Sequence, residues 1–337
     1  MSAKKVRRHI VIIGLLGAWS LLSCNVHTTQ AKDPDYPVRP IEFNINMSVG
    51  GSTDLACRAF VQALGKQLGQ RIIPVNKPGG SSTIGPMAVR NAKSDGYTLG
   101  NINASAALVV PFSEEAPFRD LSGFTWIANI GTYVYPLMVR GDAPWKTWKE
   151  FVEWARKNPR ATKFGITGAK TVDIKGLVMW QIEQQEKMEV TYIAFKGGAE
   201  ILAAILGGHI NLYGSTVDTS TMQYVEEGKL RILAYSGSNK VQGYENVPST
   251  REMYGFEIPN LIAIVGPKGL PDYVVKKLED ASAKAMKDPD FIKMMAQMNM
   301  PLLYMDRAAL MKHVEESFAK TGRIYQAIKA EEEKGKK

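Results

Sequence analysis

A short unit of strand, glycine pair and helix start recurs along this chain, and Ser48-Val49-Gly50-Gly51-Ser52-Thr53-Asp54 is its clearest copy. Residues 41–49 read as a strand. Residues 55–68 read as an amphipathic helix with Phe60, Leu64 and Leu68 on one face and Gly69 at its stop. Adjacent glycines let the backbone turn sharply and let a ligand approach without a Cβ in the way. Ser52, Thr53 or Asp54 can cap the helix, whose spare N–H groups and positive dipole end then suit a carboxylate or phosphate.

The same unit returns downstream. Residues 71–76 form a second strand, followed by Lys77-Pro78-Gly79-Gly80 and a helix to residue 92; Asp95-Gly96 then turns into a strand over 97–101. This β-α-β-α-β order predicts a mostly parallel sheet covered by helices. Near residues 126–140 the chain crosses into a second lobe, where Thr147-Trp148-Lys149-Glu150 is a capping box and Asn158-Pro159 a stop. Strands are expected at 163–167, 190–195, 209–213 and 230–236, with helices between them. The turns after them are Gly168-Ala169-Lys170-Thr171, Lys196-Gly197-Gly198 and Gly214-Ser215-Thr216. A strand over 260–265 rejoins the first lobe, and helices over 272–287 and 307–329 wrap the outside, ahead of a solvated Lys/Glu-rich tail over 329–337. In open α/β sheets ligands bind beyond the carboxyl ends of the strands, where these turns lie. Two such lobes facing each other make a clamp for a small polar anion.

The start of the chain points to export. Lys4, Lys5, Arg7 and Arg8 precede an apolar stretch over 10–22, too short to span a bilayer comfortably. Leu21-Leu22-Ser23-Cys24 resembles a lipoprotein lipobox, which would make Cys24 a lipidated first residue; Thr29-Gln30-Ala31 offers an ordinary cut instead. On the lipobox reading residues 1–23 are the signal and 24–36 a polar tether. Residues 1–23 hold four basic and no acidic residues, so their removal takes the net charge from +9 to +5. That mild surplus, without basic blocks in the body, makes no case for nucleic acid. Cys57 is the one other cysteine, so no intrachain disulfide framework is expected.

Enzyme chemistry finds little support. Beyond the leader and tether, histidine occurs only at His209 and His313, without Cys or His at metal-ligand spacing. No Gly-x-Ser-x-Gly elbow and no phosphate-loop motif is present. Neither a cofactor nor a metal is expected.

The ordered motifs also carry a family resemblance. Tyr36-Pro37-x-Arg39-Pro40-Ile41, Gly50-Gly51-x-x-Asp54 and Asn76-Lys77-Pro78-Gly79-Gly80 open the series. Asp95-Gly96-Tyr97-Thr98-Leu99, Phe195-Lys196-Gly197-Gly198-Ala199 and Leu206-Gly207-Gly208-His209-Ile210-Asn211-Leu212 continue it, followed by Gly228-Lys229-Leu230-Arg231 and Val247-Pro248-Ser249-Thr250. Together they resemble the Bug, or TctC-like, substrate-binding receptors of tripartite tricarboxylate transporters. The resemblance implies an α/β, two-lobed periplasmic-binding-protein fold of type II (the Venus flytrap) with a ligand cleft between lobes. Lobe 1 would comprise 37–136 and 257–337, and lobe 2 would comprise 137–256. It implies an extracytoplasmic monomer that passes a di- or tricarboxylate, aromatic acid or acidic amino acid to membrane permease subunits. An orphan receptor feeding a sensor kinase, or a secreted hydrolase on this scaffold, are the competing readings.

By the same resemblance the cleft is lined by Ser48, Gly50, Gly51, Ser52, Thr53 and Asp54, and by Asn103, Ala104 and Ser105. From the other lobe come Thr167, Gly168, Lys170, Thr171, Phe195, Lys196 and Gly197, with Thr216 and Asp218 as further candidates. Asp54 either reads a ligand hydroxyl or ammonium or caps its helix; Ser52 and Thr53 face the same choice. Asn103 and Ser105 either donate to the ligand or stabilise a turn, and Phe195 is either a cleft wall or core. Tyr133 and Tyr135 either line the hinge side of the cleft or merely pack there. Lys170 stands where relatives carry glycine, and Ile174 stands near their usual histidine. Lys170 either pairs with an extra or distal acid group of the ligand or points to solvent at the rim.

Overall fold

The computed structural model describes residues 35–114, 116–167, 170–171, 173–195, 197–217 and 219–334. Cys24, Gly168, Lys196 and Asp218, all singled out above, lie outside the described residues, as do the leader and most of the tether.

Ile41–Ile45 (β1) lies inside the first sheet, with Ile72–Asn76 (β2) and Thr98–Asn103 (β3) parallel to it on either side. Its odd positions Ile41, Phe43 and Ile45 pack against Ser52–Leu68 (α1), through Phe60 and Leu64. The even positions Asn44 and Asn46 point to the other face, as the two-residue strand period requires. There Asn46 and Asn101 of β3 exchange bonds, Asn101 Nδ2 donating to Asn46 Oδ1 at 2.8 Å and the Asn46 N–H to Asn101 Oδ1 at 3.0 Å. These two buried amides thereby partner each other across the sheet.

The expectation of a mostly parallel sheet holds for three strands and fails for the fourth. The order is β2-β1-β3-β10-β4, where Phe124–Asn129 is β4 and Ile262–Pro267 is β10. β10 is antiparallel to both β3 and β4. The reason is topological: β4 leaves the sheet at the end that carries the turns, so the chain re-enters at that end and runs back.

The second half holds smaller sheets. Pro136–Arg140 (β5) lies antiparallel between Tyr213–Gly214 (β8) and Leu230–Tyr235 (β9), while Thr162–Thr167 (β6) and Val190–Phe195 (β7) pair in parallel. Around them run Trp148–Lys157 (α3), Ile174–Glu186 (α4), Gly198–Leu206 (α5), Thr219–Glu226 (α6) and Thr250–Tyr254 (α7). The strand expected over 209–213 shortens to Tyr213–Gly214. The Asn211 side chain accepts from the Lys163 N–H and donates to the Ala161 carbonyl, both at 2.8 Å, and occupies groups a longer ladder would use. The capping box predicted at Thr147 is half formed: Thr147 Oγ1 accepts from the Glu150 N–H at 3.2 Å, but the Glu150 carboxylate turns to the Lys146 N–H. A complete box stands instead at Ser249 and Glu252, opening α7.

Two segments cross between the sheets, and they are laced together. Ile130 N–H donates to Ile262 O, Ile262 N–H to Gly131 O, and Asn260 Nδ2 to Tyr133 O at 2.6 Å. The remaining helices are Ile84–Arg90 (α2), Asp272–Ala285 (α8), Pro289–Gln297 (α9) and Arg307–Lys334 (α10). α9 was not expected; Asp288 caps it ahead of a proline, accepting from the Asp290 and Phe291 N–H groups. α10 runs to Lys334, through most of the predicted tail. Its Leu310 and Val314 belong to the core of the first sheet, whereas Ile328 is buried in the core around α4, where Trp180 Nε1 donates to Glu331 at 2.6 Å. No helix among the described residues is long and apolar enough to cross a membrane.

Close approach of α2 to the sheet depends on Gly100, where an added Cβ would lie 2.6 Å from the Asn44 carbonyl and 2.7 Å from Val89. Gly100→Ala is therefore expected to cost about 1–3 kcal/mol, seen as a lower denaturation midpoint at unchanged m-value.

Candidate ligand-binding site

The turn after β1 takes its shape from a buried carboxylate. Gly50 sits at φ 85°, in the left-handed region open to glycine, and Gly51 is extended and caps α1. α1 begins at Ser52, three residues earlier than expected. Asp54, 1% exposed, reaches back to accept the Gly50 N–H at 2.9 Å. Its other oxygen accepts from Arg58 Nε at 2.8 Å and Asn76 Nδ2 at 2.7 Å. Asn76 also donates to the Met47 carbonyl at 2.9 Å and accepts from Arg58 Nη2 at 2.6 Å, tying the turn to the end of β2. Burial alone would push the Asp54 carboxyl up; the bonds from Arg58, Asn76 and Gly50 outweigh it and hold it below the ordinary value.

With the turn so held, the N–H groups of Ser52, Thr53 and Asp54 meet no acceptor among the described residues. The hydroxyls of exposed Ser48 and half-buried Ser52 also have no partner there. Thr53 differs, for its hydroxyl is buried and lies 2.6 Å from the Tyr133 hydroxyl. At the end of β3, Asn103 Oδ1 accepts the Ala106 N–H at 3.0 Å and so performs the turn-stabilising role weighed above. Ala104 is buried; the half-buried Ser105 opens a single π-helical turn, Ser105–Val109.

On the other side, Asp173 organises the loop after β6. It caps α4 through the Lys175 N–H at 3.0 Å, accepts the Thr167 N–H at 2.9 Å and pairs with Lys175 Nζ at 3.2 Å. Thr171 is buried beside it. Lys170 is turned along the sheet, its ammonium 5.1 Å from the centroid of the Tyr192 ring. The Tyr192 hydroxyl donates to Glu183. Burial pushes the Glu183 carboxyl up, while Tyr192, the Val190 N–H and the Lys170 charge pull it back. Phe195 is half-buried at the end of β7, and Gly197 caps α5 with open space around it. A Cβ on Gly198 would lie 3.6 Å from Ser215 Oγ, which sets the Ser215-Thr216 turn beside the start of α5.

One crossing segment touches both sets of turns. Tyr133 meets Thr53, the Val134 carbonyl accepts the Val217 N–H at 3.1 Å, and the Asp173 charge reaches the Tyr135 phenol, which burial, Tyr133 and Asp173 push well above its ordinary value. Among the described residues no group of three or more His, Cys, Asp or Glu is placed to hold a metal ion. Sequence reasoning passed over Arg58, Asn76 and Asp173 as site-forming residues. The Asp54–Arg58 spacing of four and the Asp173 cap before an apolar run were the signals available.

Because the native Asp54 carboxyl lies below its ordinary value, its contribution to stability is present above the ordinary carboxylate range and lost as pH falls through the native value. Asp54→Asn should remove part of the acid-side loss of stability. Asp54→Ala, which strands the Gly50 N–H and the Asn76 amide, should cost about 2 kcal/mol at neutral pH. Denaturant melts from about pH 3 to about pH 7 measure both effects.

Residues 56–330 match the family described as the tripartite tricarboxylate transporter family receptor, TctC. The chain is similar to the UPF0065 protein in the gbd 5' region of Cupriavidus necator, with 30% identity over 325 residues covering 96% of this chain and 98% of that one. A crystal structure of a TctC solute-binding protein from Polaromonas shares 27% identity and superposes with a TM-score of 0.71, covering 87% of this chain and 99% of the other. MatC from Rhodopseudomonas palustris, solved with malate bound, has the same fold at 21% identity and TM-score 0.71, covering 86% of this chain and all of MatC. The two-lobed α/β fold thus has its counterpart in known receptors, and the chain belongs to the TctC family of tripartite tricarboxylate transporter receptors.

Proposed function

We propose that this chain captures a small carboxylate between its two lobes outside the cytoplasm and delivers it to the membrane subunits of a tripartite tricarboxylate-type transporter. The observation that carries this reading is the start of α1, where three N–H groups without acceptors stand beside the unengaged hydroxyls of Ser48 and Ser52. Such an array takes a carboxylate at the positive end of a helix and carries no group for chemistry on it. The start of α5 at Gly197 supplies the second jaw, and the malate of MatC is a ligand of the expected class.

In this reading the hydroxyls of Ser48 and Ser52 and the N–H groups of Ser52, Thr53 and Asp54 hold one carboxylate, while Gly50 and Gly51 allow its close approach and the Asp54 carboxylate shapes the turn. Asn103, Ala104 and Ser105 form the adjoining wall. Thr167, Gly168, Lys170 and Thr171, Phe195, Lys196 and Gly197, and Thr216 with Asp218 close on the ligand from the other lobe. The lobes divide as 37–136 with 257–337 and 137–256, in keeping with the strand membership of the sheets, while the end of α10 packs through Ile328 on the core around α4. Ligand that touches both lobes favours the closed arrangement through contacts the open one lacks. Cys24 is the proposed lipid tether, and Cys24→Ser should release the protein from the membrane fraction.

A thermal-shift screen of di-, tri- and aromatic carboxylates tests the central reading, since a ligand bound only by the native state raises its melting temperature. A response to a neutral sugar and to no carboxylate would overturn it. Ser52→Ala should weaken the best carboxylate about tenfold by calorimetry, the loss expected for a bond to a charged group. Lys170 must leave Tyr192 to reach a ligand. If it does so, Lys170→Met weakens a diacid about tenfold and leaves a monoacid of similar length unchanged.

A further inference from the structure

A cavity of about 730 Å³ lies between the first turns of α3, strand β9 and the segment that leads into α7. No residue of the carboxylate cleft lines it. We propose that it is a second binding site, for an amphipathic monocarboxylate with an aliphatic or aromatic body. The volume falls within the range of small-molecule sites.

The floor is apolar, built from buried Val152 and Leu233, with Met253 and the Trp148 ring beside them. Polar groups in the wall are closed on one another. Trp148 Nε1 donates to the Tyr254 hydroxyl at 2.6 Å, and that hydroxyl donates to Glu186 Oε1 at 2.5 Å. The other Glu186 oxygen pairs with Arg156, whose Nε also donates to the Glu186 carbonyl at 2.6 Å. A ligand body entering here therefore strands no buried donor or acceptor, which is what an apolar body requires.

The mouth supplies the complementary charge. Lys146 and Lys149 are exposed at the start of α3, and neither ammonium is in an ion pair among the described residues. Glu153 is the opposing carboxylate at the lip; with Arg156 and Glu186 counted, the lining carries three cations and two anions. The N–H groups of Trp148 and Lys149 also have no acceptor there, since Thr147 takes only the Glu150 N–H. An acid with its chain on Val152 and Leu233 thus places its carboxylate at two lysines and a helix start.

The site stands independently of the cleft. Octanoate is the probe, added to the full mature protein, with the Trp148 indole N–H resonance (assigned through Trp148→Phe) as the reporter. Octanoate at millimolar concentration should shift that resonance saturably. The exposed double variant Lys146→Glu/Lys149→Glu should weaken it about tenfold. Val247→Phe, at the half-buried lip, should weaken it as well, and Ser52→Ala should leave it unchanged. The proposal is overturned if the resonance does not move, if the lysine and Val247 variants bind as the parent does, or if a saturating dicarboxylate in the cleft displaces octanoate competitively.

Discussion

The carboxylate of Asp54 is held by three donors in a place water does not reach, and the first turn of the cleft takes its form from it. An ionised group is stable there because each donor also belongs to something else: Gly50 to the turn, Arg58 to the helix, Asn76 to the neighbouring strand. The negative charge faces inward and the N–H groups of the helix start face outward. The Asp54 charge is met by Arg58, and its bond from Gly50 holds the backbone of the turn in place.

The same division of labour runs through both halves. Asp173 does for the loop after β6 what Asp54 does for the turn after β1, joining a helix start to a strand end. Thr53 and Asn103, which carry polar groups a ligand could use, are engaged by the protein itself. The groups left unengaged are backbone N–H groups and short serine hydroxyls. Recognition by such donors fixes where a carboxylate sits and says little about the body attached to it. On the proposed function, discrimination among acids falls to the wall residues and to Lys170.

Much of this was legible in the sequence. The glycine turns and the order of the first three strands follow from local patterns, and Phe60, Leu64, Leu310 and Val314 lie on the faces their spacing predicts, whereas the caps expected at Ser52, Thr53 or Asp54 give way to Gly51. The direction of β10 was not legible, because it depends on which end of the sheet the chain re-enters after a long excursion. The short strand at Tyr213 was hidden because Asn211 competes for the backbone groups through its side chain. Asp54 looked equally like a cap and a ligand contact, since the choice turns on Asn76, twenty-two residues away. Lys170 reads as a cation in a binding turn, whereas its resting partner Tyr192 is found only across the sheet.

α10 is 28 residues long, about 42 Å at the usual helical rise. One end is buried in the core of the first sheet, and the other is clamped against α4 by Ile328 and the Trp180–Glu331 bond. A rod fixed at both ends ties the core of the first sheet to the core around α4. Any change in the angle between them must bend the rod or slip one of its clamps, and a bent helix stores the work done on it. The stiffness of α10 thereby opposes any turning of one core against the other.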